Sequence, residues 1–220
     1  EALAVHVVQQ AADIFADEIG LQRPRGVGVA EHRREVRHVR IHHALVDQRA
    51  GRQAGDLRLD LADAASVQAA FHHLGQVDAI VSAAGQVGWA PLLEMTPAQW
   101  SFSVANKLMG QVNLALVGHR YLRDGGSITL TSGVLMQQPV AYGAAASLAN
   151  GGIEGFVRAA AVELPRGLRI NAVSPGVLLE SMAELGPYFR GFQPVPGARA
   201  ALSYARTVEG GETGKVYEAH

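Results

Sequence analysis

The chain of 220 residues contains no cysteine. That absence excludes a disulfide framework, a thiolate metal site and a cysteine nucleophile. Lysine is nearly as scarce, with Lys107 and Lys215 set against 17 arginines. No apolar run reaches the roughly eighteen residues of a membrane-spanning helix, and the opening Glu1-Ala-Leu-Ala-Val-His has neither the cationic start nor the apolar core of a secretory signal. A formal net charge of −1 at pH 7 gives no reason to expect nucleic acid or an anionic membrane as a partner. A cytoplasmic protein is expected. Internal repeats and low-complexity linkers are also missing, so no separate second domain is expected after residue 50.

What is present is the composition of one globular domain, with 48% hydrophobic and 18% charged residues, enough to bury a sizeable core. The most informative stretch is 125–176. A short β-rich run over 127–131 leads through Pro139 into a helix over 144–164 rich in Ala and Gly. A second apolar run over 168–173 follows and ends in Ser174-Pro175-Gly176. This is a βαβ pattern, and in open α/β sheets ligands bind just beyond the carboxyl ends of the strands. Function is therefore sought near Ser132 and Pro175. Upstream, residues 77–81 read as a buried parallel strand, 64–74 as a helix, 57–61 as an alternating strand, and 97–122 as a long helix opened by Pro97.

Thr131-Ser132-Gly133, then Ala160-Ala161-Val162-Glu163-Leu164, then Arg169-Ile170-Asn171-Ala172-Val173-Ser174-Pro175-Gly176 resemble the short-chain dehydrogenase/reductase family. Six or seven short motifs between about Ala50 and Gly214 fall in that family's order. The resemblance implies a doubly wound, Rossmann-like α/β fold with a mainly parallel sheet and helices on both faces. It also implies an NADP(H)-dependent oxidoreductase acting on a carbonyl or alcohol, built as a homodimer or homotetramer through the long small-residue helix.

The resemblance is closest to a divergent subgroup. The family places a Tyr, and four residues later a Lys, on the long helix; this chain has Ala146 and Asn150 there. The family's Asn on the preceding helix corresponds to Lys107, with Asn106 one position and ~100° away around a regular helix. By the same resemblance Ser132 is the substrate-orienting hydroxyl, so Ser132, Lys107 and Asn150 form the candidate catalytic set. A desolvated Lys has a lowered pKa and can act as a general acid, which would make Lys107 compensatory. The competing reading of Lys107 is a solvated surface charge, and that of Ser132 is a hydroxyl bonded to a backbone turn. Tyr142 reads as a packing residue.

For the cofactor, Arg52 matches the position at which a guanidinium selects the 2′-phosphate of NADP, or is an ordinary loop arginine. Asp60-Leu61 matches the adenine-contacting pair, or Asp60 caps the helix beginning near Ala64. Ser82-Ala83-Ala84-Gly85 resembles the family's Asn-Asn-Ala-Gly turn, with both Asn replaced; a tight turn supporting the sheet would need the same small residues. Pro175 and Gly176 match the nicotinamide-side turn, and the Thr expected four residues after the Gly is Glu180. Residues 178–192 correspond to the variable substrate lid, and 213–217 to the closing strand.

The first 49 residues are atypical. They hold no Gly-x-x-x-Gly-x-Gly turn, and eight of the 17 arginines lie between Arg23 and Arg52, interleaved with histidines. Three readings stand side by side: a basic appendage, an altered nucleotide-binding start, and translation of a shifted reading frame. His38, His42 and His43 could approach a metal if the stretch were helical. The missing proton donor leaves two functions open, an oxidoreductase with degenerate catalytic residues and a non-catalytic dinucleotide-binding or regulatory protein. In either case the partner is a small molecule.

Overall fold

The computed structural model describes residues 2–8, 39–45 and 59–220. Six strands form one sheet: β1 Ala2–Val8, β2 Val39–Leu45, β3 Val77–Ala83, β4 Leu122–Thr131, β5 Arg169–Pro175 and β6 Val216–Ala219, in the order β2-β1-β3-β4-β5-β6. Every pairing is parallel. The helices are α1 Ala64–Leu74, α2 Pro97–Ser103, α3 Gly110–Gly118, α4 Ala144–Glu163, α5 Met182–Leu185 and α6 Gly197–Glu209. The expected doubly wound α/β fold is present.

Alternation along the strands builds two cores. Ile80, Ile128, Ile170 and Ala172 face one side, where they pack with Phe71 of α1, Leu114 of α3, and Ile153 and Val157 of α4. Val81, Val173 and Ala219 face the other and pack against Ala200, Ala201 and Tyr204 of α6. Successive strand residues point to opposite faces, so both faces can be apolar only if both are covered. The near-continuous apolar runs in β3 and β5 are the sequence form of that requirement.

Several expectations need adjustment. Leu59 and Leu61 are buried as their alternation suggests, yet they lie in a loop and turn rather than a strand. The exposed Asp60 between them folds the chain back, its Oδ1 accepting from the Ala62 amide at 2.9 Å. The cap of α1 is Asp63, whose Oδ1 accepts from the Ala65 amide at 2.9 Å. The helix expected over 97–122 ends at Gly118, and Leu122 already belongs to β4. Between α2 and α3 it widens into a π-type segment, Val104–Met109. Two parallel strands also come from the stretch before residue 50. His42 and His43 are consecutive in β2, so the helical spacing required for the metal reading does not exist there. His38 lies outside the described residues, as do Arg52 and the segments 9–38 and 46–58.

Gly118 marks the tightest approach between a helix and the sheet. A Cβ at this position would press on Ile80 and stand 2.8 Å from Phe71 Cζ, both side chains being fully buried. Gly118→Ala should lower stability by about 1–3 kcal/mol through overpacking. An unchanged midpoint in urea denaturation would show that this contact yields without cost.

Candidate active site

Three strand ends, Ala83 of β3, Thr131 of β4 and Pro175 of β5, open onto a cavity of about 660 Å³. Its position is the one that the βαβ pattern implied, beyond the carboxyl ends of adjacent parallel strands. The floor is fixed by polar groups with no freedom to turn. Gln111, fully buried in α3, takes the role of a neighbouring strand for Thr131: its Oε1 accepts from the Thr131 amide at 2.8 Å, and its Nε2 donates to the Thr131 carbonyl at 2.9 Å. The Thr131 hydroxyl donates to the Ser82 carbonyl at 2.6 Å, joining the ends of β3 and β4.

The loop after β3 is clamped in the same way. Asn106 Oδ1 accepts from the Gln86 amide at 2.6 Å, and Ser103 Oγ accepts from the Gly88 amide at 2.9 Å. Gly85 lies against the π-type segment with φ of +133°, and a Cβ there would come within 2.9 Å of Lys107 Cα. Only glycine fits. Two consecutive side chains of the π-type segment, Asn106 and Lys107, both bond in this region.

Lys107 turns inward. Its stem is partly buried, and Nζ donates to the Ser132 carbonyl at 3.1 Å while lining the cavity. None of the ion pairs among the described residues includes it. Burial without a compensating charge lowers its pKa from 10.5 to about 8.

Ser132 is 2% exposed and also reaches the cavity wall. Its hydroxyl is turned into the protein, donating to Glu154 Oε1 at 3.1 Å with a longer contact to the Val173 carbonyl at 3.4 Å. Glu154 is itself fully buried and ion-paired to Arg158 at 3.2 Å. Ser132 therefore presents its carbonyl, through Lys107, rather than its hydroxyl. Asn150, 2% exposed, donates from Nδ2 to the Gly133 carbonyl at 3.1 Å, while its Oδ1 has no partner among the described residues. Ala146 also lines the cavity.

Of the residues expected at the cofactor, Ala83, Gly85, Pro175 and Gly176 line the cavity. Gly176 is closely packed: an added Cβ would stand 3.0 Å from His220 Cβ and 3.2 Å from Val195 Cγ2, so these side chains would have to shift. Ser82 and Ala84 are buried beside it, Leu61 packs under Gly110 in the core, and Asp60 lies on the surface, none of them in the lining. Glu180, in place of the expected Thr, accepts from the Gly197 amide at 3.0 and 3.2 Å and so holds the start of α6. Its neighbour Ser181 is the hydroxyl that reaches the cavity.

Residues 188–192 form an aromatic cluster with Trp89. Trp89 lies 5.2 Å from Tyr188 and 6.4 Å from Phe189, and Phe189 lies 5.2 Å from Phe192, measured between ring centres. Tyr142 stacks edge-on against Tyr188 at 6.0 Å, outside the lining, as a packing residue. Sequence reasoning set Asn106 aside and did not single out Gln111 or Ser181. For Gln111 the available signal was a polar residue inside an apolar helix stretch, which carries no indication of its partner.

Fold and cavity together define a doubly wound α/β protein with a cavity at the ends of its central strands. A family model described as enoyl-(acyl carrier protein) reductase matches residues 25–216. The chain belongs to the short-chain dehydrogenase/reductase family. Curated relatives include D-threitol dehydrogenase of Mycolicibacterium smegmatis, 34% identical over 56% of this chain and 50% of that protein. A putative ketoacyl reductase of monensin polyketide synthase from Streptomyces virginiae is 33% identical over 61% of this chain and 55% of its own length. The chain thus spans about half the length of the curated relatives it matches. Among solved structures, protein lin1944 from Listeria innocua is 34% identical with a TM-score of 0.86, covering 100% of both chains. A small-chain dehydrogenase in complex with NADPH is 25% identical with a TM-score of 0.75, covering 99% of this chain and 96% of its own.

The lowered pKa of Lys107 has a defined sign in stability. Between pH 8 and 10.5 the unfolded chain binds a proton that the folded chain does not, so folding becomes more favourable as pH rises through that window. The melting temperature of the wild type relative to Lys107→Met should therefore climb from pH 8 to 10.5 and level off on either side. A difference that stays flat across the window would show Lys107 to be solvated.

Proposed function

We propose that the protein is an NADP(H)-dependent oxidoreductase for a carbonyl or alcohol substrate, in which Lys107 takes over the proton transfer that the family gives to its Tyr and Lys. The observation that carries this reading is the Lys107 ammonium, in no ion pair among the described residues, bonded to the Ser132 carbonyl in the lining of the cavity. A general acid works best with a pKa near the operating pH, and about 8 meets that condition.

The described half of the site suits a nicotinamide dinucleotide. Small residues, Ala83, Gly85, Ala146, Pro175 and Gly176, leave room for a flat ring at the strand ends, and the unpartnered Asn150 Oδ1 offers an acceptor beside it. Bound there, the cofactor supplies or accepts a hydride. The chain's own part is to orient the carbonyl against Lys107 Nζ, to deliver the proton from that atom, and to exclude water with the Trp89–Phe189 lid. Arg52, the residue suited to a 2′-phosphate, lies outside the described residues.

A second reading is a non-catalytic dinucleotide-binding or regulatory protein. It is favoured by the Ser132 hydroxyl, which is engaged with Glu154 and so unavailable to a substrate. The two readings part in a single assay. Under the first, NADPH oxidation followed at 340 nm with a panel of aldehydes and ketones should show turnover, and Lys107→Met should reduce kcat/KM by about a hundredfold or more. Binding of NADPH with no turnover on any carbonyl would favour the second.

The same family reading makes α4 a subunit interface. Leu148 and Val162 are 51% and 85% exposed on the helix face that carries Gly155, where an added Cβ meets nothing within 4 Å. Gly155→Trp should leave the monomer folded and dissociate a homodimer or homotetramer. An unaltered mass in light scattering would rule out this face.

A further inference from the structure

The charge balance of the cavity points beyond a generic carbonyl compound. Lys107 is the only cationic side chain in the lining among the described residues. It has a carbonyl rather than a carboxylate as partner. Two acidic side chains come near. Glu154 stands behind Ser132, already held by the Ser132 hydroxyl and Arg158. Glu184 lies on α5, exposed at the lid side of the lining. On the α6 side Tyr204 hydrogen-bonds Thr131 at 2.6 Å and is held protonated by a pKa raised to about 12, and His220, just after β6, lies against Gly176 and pairs with Glu218 at 3.7 Å.

A buried cation without a counter-ion is costly, and an incoming anion would offset that cost where the surrounding dielectric is low. The larger part of the remaining wall is apolar, with Val134, Leu135, Val177, Leu185, Phe189 and Trp89, and its other polar side chains, among them Gln86, Asn150 and Ser181, are uncharged apart from Glu184. One positive charge in a lining that is apolar over most of its area matches a monoanion with an apolar body. A dianion such as phosphate would bring a second negative charge toward Glu184 with no second cation to meet it.

We propose that the substrate bound at Lys107 is a carbonyl compound that carries its own carboxylate, a 2-oxo or 3-oxo acid with an apolar side chain, with the ammonium pairing the carboxylate and facing the adjacent carbonyl. This rests on the site of the reductase reading for its place but not for its chemistry. Reduction would add a hydride to the carbonyl carbon and a proton to its oxygen, giving the hydroxy acid.

The test compares matched pairs: 4-methyl-2-oxopentanoate against 4-methyl-2-pentanone, and phenylpyruvate against phenylacetone, with inorganic phosphate as a third probe. Calorimetry at pH 7 should give the oxo acids about tenfold or greater advantage in Kd over the neutral ketones, the size expected of one charge-assisted contact. The advantage should fall as pH rises past 8 and vanish in Lys107→Met. Because Lys215 is exposed and is the sole other lysine, reductive methylation read by mass spectrometry gives a check on the wild type alone. The oxo acid should shield Lys107 and leave Lys215 reactive, while the ketone should shield neither. Equal binding of acid and ketone, an acid preference that survives in Lys107→Met with Lys107 unshielded, equal or tighter binding of phosphate, or binding of none of the probes would each overturn the proposal. If Lys107→Met does not fold, the shielding result decides. Turnover of neutral ketones without an acid preference would sink this proposal and leave the reductase reading standing. Shielding by oxo acids without any NADPH oxidation would do the reverse.

Discussion

The site depends on the two hydrogen bonds between the Gln111 side chain and the main chain of Thr131. A parallel strand that runs past its neighbours leaves amides and carbonyls unpaired, and a buried unpaired group costs on the order of 1–3 kcal/mol. Gln111 removes that cost for Thr131 by presenting an amide in the geometry of a strand partner. The end of β4 is thereby fixed against α3, and with it the Ser132 carbonyl on which Lys107 rests. The Asn106 and Ser103 contacts to the loop after β3 extend the same device. One helix, through three uncharged side chains, therefore sets the positions of two strand ends.

The π-type widening between α2 and α3 follows from these demands. Asn106 has to reach the Gln86 amide and Lys107 has to reach the Ser132 carbonyl, although they are adjacent in sequence. Both contacts come from the π-type segment Val104–Met109, a local departure from the regular helix of the kind often found at functional sites. The same geometry withdraws the ammonium from water, which lowers its pKa. Position and proton affinity thus have a common cause.

Most of the fold was legible because it rests on patterns that repeat. The apolar runs of β3 and β5, the small-residue face of α4 and the boundaries of α1 follow from alternation, periodicity and capping, all local properties. Errors arose where one pattern has two causes. Leu59 and Leu61 alternate because a turn at Asp60 puts both into the core, an arrangement that imitates a strand.

The sequence by itself determined the α/β class and the cavity's place at the ends of β4 and β5, since each is a matter of residue type at a spacing. Only the tertiary structure decided what the remaining polar groups do. The direction of the Ser132 hydroxyl is set by Glu154, twenty-two positions away along the chain, and the direction of Lys107 by a carbonyl twenty-five positions away. A hydrogen bond depends on distances of a few tenths of an ångström between groups that the fold brings together. No periodicity in the chain encodes such distances.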